Sequence, residues 1–366
     1  MDLDLFRPLY TASDLVVSVH LDTSREDQDA DHRVATGWRA LRRDLEQQGA
    51  DEPTLLVLDG AVGGSPHLVG PQGESLFAAD GRMLGAFTLA RPPARDRAVV
   101  GPVADPLETA FDLDHQLPYV MVALDREGAD VDAFPAGALD PATSRTFSGS
   151  TLHITRVRAG GANMASYHRR TVNVWTRNAA GVATEIAEAC EAVGAALVFV
   201  GGDPKATAIL REELAGWRGH AEVVEVPGGR GGEDALAVLR EAVDKALRAA
   251  SERSHAAAAA EFESARAQGM AVHGMPAVST ALAEGRVATL LLSEDRTADP
   301  LKWSAGANPL LVDSAPEALD NAAAAVQALA APLLLRAATM GGASFSEIPE
   351  GMADDGCAAV LRFAPA

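Results

Sequence analysis

Six arginines and no carboxylate stand between Pro141 and Thr184: Arg145, Arg156, Arg158, Arg169, Arg170 and Arg177, with His153 and His168 among them. The 366-residue chain carries 31 basic and 51 acidic side chains, a formal charge of −20, so a window at +6 leaves −26 to the rest. Guanidinium forks match phosphate oxygens, and the counterions they displace drive association with polyanions. Inside the window runs Arg158-Ala159-Gly160-Gly161-Ala162-Asn163. Two glycines there allow positive φ and close approach of the backbone to a partner. The chemistry on offer is recognition of phosphate rather than bond-making. The competing reading is that these arginines meet carboxylates elsewhere in the chain. Tyr167, next to His168-Arg169-Arg170, can stack on an RNA base or pack in a core. A second basic spot, Arg91-Pro92-Pro93-Ala94-Arg95-Asp96-Arg97, reads as a stiffened loop able to touch an RNA backbone.

Other reactive groups lack the company that chemistry needs. His115, His153, His168 and His273 have no local metal-ligand spacing, and no cysteine pair joins them, so no metal and no cofactor are expected. Cys190 and Cys357 lie in Ala-rich stretches and read as buried small hydrophobes. Ser148-Gly149-Ser150 lacks the pattern of a nucleophile elbow. Gly228-Gly229-Arg230-Gly231-Gly232 is followed by Glu233 and Asp234, not by the Gly-Lys-Ser/Thr of a nucleotide loop, and reads as a structural turn.

The elements that position these residues are legible from periodicity. Val16–Leu21 reads as a strand, Arg33–Gln48 as an amphipathic helix with Val34, Trp38, Leu41 and Leu45 on one face, and Thr54–Leu58 as a second strand. Arg91–Pro106, with four prolines, reads as an ordered loop. Strands at Tyr119–Leu124 and Leu152–Val157, a helix at Met164–Val193, a strand at Ala196–Val200, a helix at Lys205–Leu214 and a strand at Glu222–Val226 alternate as in a parallel α/β sheet. Glu233–Gln268 is helix-forming throughout and long enough to bridge two domains. Ala277–Ala283 and Pro316–Leu329 read as helices, Val287–Leu292 and Ala358–Phe363 as strands. The expectation is an α/β protein of three domains: a mixed α/β N-terminal domain (1–115), a parallel-sheet α/β middle domain with the Gly-Gly loop (116–255) and a C-terminal α/β domain (256–366).

This order of parts resembles archaeal and eukaryotic class-one release factors and Pelota-like rescue factors. Their peptide-releasing loop reads Gly-Arg-Gly-Gly-Gln, and Arg158-Ala159-Gly160-Gly161-Ala162 stands in its place. Tyr119–Phe134 is similar to the strand pair opening the family's middle domain, and Pro227-Gly228-Gly229 to the turn before its bridging helix. Val278–Leu292 is similar to the helix, Gly turn and strand of the third domain, a fold shared with kink-turn-binding ribosomal proteins. Two departures stand out. Ala162, or Asn163 in a shifted register, occupies the place of the catalytic glutamine, and an acidic stretch around Ser24-Arg25-Glu26-Asp27 replaces the stop-codon-reading loop. A release-factor shape without the release residue resembles the bacterial branch that includes the ribosome hibernation factor Balon. The resemblance implies a non-catalytic protein filling a vacant ribosomal A site, its N-terminal domain facing the decoding centre and contacting 16S and 23S rRNA, with delivery by elongation factor Tu as a further implication. The rival readings are a peptidyl-tRNA hydrolase using Asn163 or a bound water, and an acidic protein-binding scaffold. The first residues, Met-Asp-Leu-Asp-Leu, lack the cationic start of a secretory signal, and the apolar stretch at Ala322–Leu335 is too short to cross a bilayer. A cytoplasmic protein with no membrane and no DNA partner is expected.

Overall fold

A computed structural model describes the backbone of residues 1–366 other than 12–14, 27, 67–69, 139, 150–163, 216, 218–220, 297–298, 307, 320 and 365–366, and the side chains of the same residues except 164–173. The chain divides into two compact units. A terminal unit is built from Met1–His115 together with Glu252–Ala366, and a middle unit from Gln116–Ser251.

In the N-terminal segment, β1 (Val16–Asp22), α1 (Ala30–Gln48), α2 (Glu52–Ala61), β2 (Gly73–Ala79), β3 (Arg82–Leu89), β4 (Arg97–Gly101) and α3 (Leu107–Asp114) follow in order. The four strands form an antiparallel sheet in the order β3-β2-β1-β4. Alternation sends Val17, Val19 and Leu21 towards Val34, Trp38, Leu41 and Leu45 of α1, as their helical spacing anticipates. Residues 54–58 are helix, not strand. Asp51 accepts from the Thr54 N–H at 3.1 Å and Pro53 fits the first turn, so capping overrides β-propensity. The proline-rich stretch expected to be loop throughout contains β4, whose pairing with β1 begins at Arg97.

The middle unit contains β5 (Tyr119–Leu124), β6 (Gly128–Phe134), β7 (Thr143–Ser148), α4 (Met164–Val193), β8 (Leu197–Gly202), α5 (Pro204–Leu214), β9 (Glu222–Glu225) and the first half of α6 (Glu233–Ala267). Its sheet runs β7-β6-β5-β8-β9 and is mixed: β5, β8 and β9 are parallel, whereas β6 and β7 are added as antiparallel hairpins. The parallel expectation therefore holds for half of it, because the Gly128 turn is too short for a crossover. Helices α4 and α5 cover one face through Val182, Ile186, Ala206 and Leu210, and α6 covers the other through Leu239 and Val243. The glycine in the middle of α4 has a packing reason. A Cβ on Gly181 would stand 2.3 Å from the Phe147 ring. The strand expected at 152–157 lies outside the described residues.

The C-terminal segment adds β10 (Ala271–His273), α7 (Met275–Ala283), β11 (Val287–Leu292), β12 (Leu301–Ala305), β13 (Val312–Asp313), β14 (Ala325–Leu329), α8 (Ala330–Met340), β15 (Ser344–Glu347) and β16 (Cys357–Leu361). They form sheets β10-β16-β11-β15 and β13-β12-β14. Residues 316–329 are not the expected helix: Pro316 starts a three-residue 3₁₀ turn, and Ala325–Leu329 pairs with all of β12. The helix follows at Ala330, with Leu333, Leu334 and Leu335 fully buried. Leu3, Phe6, Phe77 and Phe111 share one core with Val278, Leu290, Leu334 and Phe345. The segments 1–115 and 252–366 thus share one core, beside the smaller clusters that each keeps to itself. Among the described residues no helix is long and apolar enough to cross a membrane.

One buried polar residue gives the terminal unit a pH response. His20 of β1 is fully buried, with Nε2 donating to the Asp105 carbonyl at 3.1 Å and Nδ1 accepting from Ser75 Oγ at 2.8 Å. The neutral ring is therefore satisfied. Burial, and then Arg97, lowers its pKa against the opposing pull of Glu108 and Asp105. The unfolded chain takes up this proton first, so His20 contributes stability that is complete above about pH 6.5 and declines as pH falls below it. Urea unfolding at pH 7.5 and 5.5 should show that decline, and His20→Gln should flatten it.

Candidate nucleic-acid interface

The carboxyl ends of β5 and β8 and the chain after β9 converge in the middle unit. Gly202 approaches Leu124 so closely that a Cβ would stand 2.0 Å from the Leu124 carbonyl oxygen. Gly228 and Gly229 take φ of 94° and 148°, and a Cβ on Gly228 would meet the Leu239 amide nitrogen at 2.3 Å. The glycine cluster is a seam for α6, which is the structural turn its sequence indicates. Gly228→Ala should destabilise the middle unit by about 3 kcal/mol, combining left-handed strain with overpacking, as read from urea unfolding of the full chain.

Beside this seam lies an open cleft of about 540 Å³, lined by Asp125, Arg126, Glu127, Asp203, Gly229 and Arg230 among others. Its cations are already matched. Arg126 donates to Asp203 Oδ2 at 2.7 Å and lies 5.1 Å over the Trp175 ring of α4. Asp203 also caps α5 by accepting from the Lys205 and Ala206 amides, and the Arg126 bond above all lowers its pKa. Arg230 pairs with Asp130 at 3.0 Å and Asp125 at 3.6 Å. Among the described residues lining the cleft no nucleophile stands beside a base, and the lining offers hydrogen-bonding edges.

The sequence-selected residues fall into three groups. Arg156, Arg158, Gly160, Gly161, Ala162 and Asn163 lie outside the described residues. Tyr167, His168, Arg169 and Arg170 occupy the first two turns of α4, and their side chains are not described. Arg177, two turns beyond position 170 on the same helical face, is exposed. Arg145 is different: it is tied to Glu185 at 3.2 Å and to Glu188, so one charge of the acid-free window is answered from just beyond its end. Of the second basic spot, Arg91 and Arg95 are exposed, whereas Arg97 is held by Asp105 at 2.7 Å and Glu108 at 2.9 Å. Both thiols are buried, Cys190 pushed up to about 11 and Cys357 to about 12, which keeps them protonated and inert at neutral pH. Local spacing also missed a cluster that only the fold assembles: His115, His255 and Glu347.

Residues 118–268 match the sequence model of bacterial archaeo-eukaryotic release factor family 2. An uncharacterized protein of Mycobacterium tuberculosis, Rv2629 in strain H37Rv, is 28% identical over 303 residues, covering 80% of this chain and 79% of its own length. Among solved structures, a model of ribosome-bound archaeal Pelota and ABCE1 aligns at TM-score 0.41 and 13% identity over 100% of this chain and 95% of that one. The archaeal translation termination factor aRF1 aligns at TM-score 0.25 and 18% identity over 98% and 96%.

Proposed function

From the release-factor-like match of residues 118–268, we infer that the chain is a ribosome-associated factor that binds without cleaving peptidyl-tRNA. The observation that carries this reading is the coincidence, in one segment, of that match with the acid-free arginine window and with Ala162 where the family has its catalytic glutamine. A methyl group cannot orient water at an ester. A pair of glycines flanked by arginines can still enter a crowded rRNA cavity, because glycine lets a backbone approach closely and the flanking charge offsets phosphate. The finer reading is occupation of a vacant A site as a hibernation or stress factor, with Arg156, Arg158, Arg169, Arg170 and Arg177 on 23S rRNA and Arg91 and Arg95 on 16S rRNA. Arg97, bound within its own unit, is a weaker contributor to that surface.

Sedimentation of the full chain with purified 70S ribosomes through sucrose tests the reading. Co-sedimentation with idle ribosomes, and no release of peptide from peptidyl-tRNA-loaded ones, is expected. Release that disappears in Asn163→Ala would replace it with the hydrolase reading. Absence of the chain from the ribosome fractions would leave the protein-binding scaffold.

A further inference from the structure

The chain leaves the terminal unit at His115, which caps α3, and re-enters it at Glu252 within α6. His255 lies one residue short of a turn beyond that re-entry, and Glu347 ends β15. These three residues are separated by 140 and 92 positions in sequence, yet one ligating atom from each falls within 4.8 Å of the others. His115 Nε2 is 2.7 Å from Glu347 Oε2, and the two imidazoles meet edge to face with centroids 4.5 Å apart. Behind them, Asp114 Oδ2 pairs with His255 Nε2 at 3.0 Å. Asp114 is itself fixed: Oδ2 accepts from the Glu347 N–H at 2.8 Å and Ser346 Oγ at 3.2 Å, and Oδ1 from the Met1 amino group at 3.0 Å.

We propose that His115, His255 and Glu347 form a divalent-metal site of the zinc class that ties the end of α3, the re-entering turn of α6 and the end of β15 together. Two imidazoles and one carboxylate are a common donor set for zinc, and three protein ligands leave a fourth position for water. A carboxylate backing a ligand histidine is the arrangement that fixes ring orientation at such sites, and Asp114 stands where His255 needs it. The alternative is a plain network of pairs, Asp114 with His255 and His115 with Glu347, and no cation between them. Tetrahedral zinc with bonds of about 2.0–2.1 Å needs ligand atoms roughly 3.3 Å apart. To reach that spacing the His115–Glu347 pair, at 2.7 Å, must open and the widest pair, within 4.8 Å, must close.

The site lies in the terminal unit and is independent of the arginine window, so it stands or falls separately from ribosome binding. The full chain, stripped with chelator and dialysed, is titrated with Zn²⁺ by calorimetry and with Co²⁺ by visible absorption. One equivalent should bind saturably, with the intense d–d bands of low-coordinate cobalt and a rise of several degrees in Tm with zinc. His115→Ala and His255→Ala should each weaken binding by on the order of 10²-fold. Glu347→Gln, which keeps size and a hydrogen-bonding oxygen, should weaken it about tenfold while leaving the circular dichroism unchanged. His273→Ala, in the same unit but paired with Asp354 outside the cluster, should bind as the parent does. No saturable binding, or binding that survives Glu347→Gln and both histidine substitutions undiminished, overturns the site.

Discussion

Ribosome binding should fall on the order of 10²-fold at 50 mM salt when Arg169 and Arg170 are both replaced by glutamate, and the salt dependence of the remaining binding should flatten. The size follows from counterion release. Each phosphate contact contributes a slope of about 0.9 in log K against log salt. Extrapolated from 1 M to 50 mM, two lost contacts remove roughly 200-fold, and the slope itself drops by about 2. The substitutions leave the window at +2 instead of +6. Helix α4 tolerates glutamate well, so a folding defect is not expected from propensity. Among the described side chains of α4, Asn178, Ala179, Val182 and Ile186 are buried, two or more turns beyond these positions. Sedimentation at four salt concentrations measures both quantities. An unchanged slope would mean that these two arginines touch no phosphate, and the assignment of the window to rRNA would lose its principal support. A smaller charge loss at Arg145 is a useful contrast. Because Glu185 and Glu188 already hold that guanidinium, Arg145→Gln should alter the slope by well under one unit.

Sequence and structure agree where periodicity was long and unbroken. The 3.6-residue spacing of Val34, Trp38, Leu41 and Leu45 located α1, and the unbroken helix-forming run after Glu233 located α6, because many weak preferences summed over many turns. Short apolar runs were ambiguous. Thr54–Leu58 has the composition of a strand, and a single cap decided otherwise; Ala325–Leu329 has the composition of a helix, and pairing with β12 decided otherwise. The charge anomaly was visible because it is a property of one stretch of chain. The fate of Arg97 was not, since Asp105 and Glu108 reach it only after β4 has paired with β1. The same limit hid the His115, His255 and Glu347 cluster: a search for local ligand spacing cannot find residues that three distant elements bring together.

Phe345→Ala should cost the terminal unit about 3–5 kcal/mol, a factor of at least 10² in its folding equilibrium. Phe345 is fully buried in β15, pairs with Leu290 of β11, and meets the Phe111 ring of α3 edge to face with centroids 5.4 Å apart. Truncation removes a ring's worth of burial and opens a cavity between well-packed neighbours, and a domain's whole stability is only about 5–15 kcal/mol. Leu301→Ala, at an exposed position of β12, should by comparison change stability by less than about 0.5 kcal/mol. Where the damage spreads is the sharper result. If the core beneath α1 were the only packing of residues 1–115, a lesion at position 345 would stay in the C-terminal segment. With Phe6, Phe77 and Phe111 in the same core as Leu290, Leu334 and Phe345, the cost must be shared. Hydrogen exchange should therefore quicken in β1 and β2 as well as in β11 and β16, by the factor that the lost free energy sets. Quickening confined to peptides from 252–366 would show that the two segments open separately, and that the apolar contact between them adds little to the stability of either.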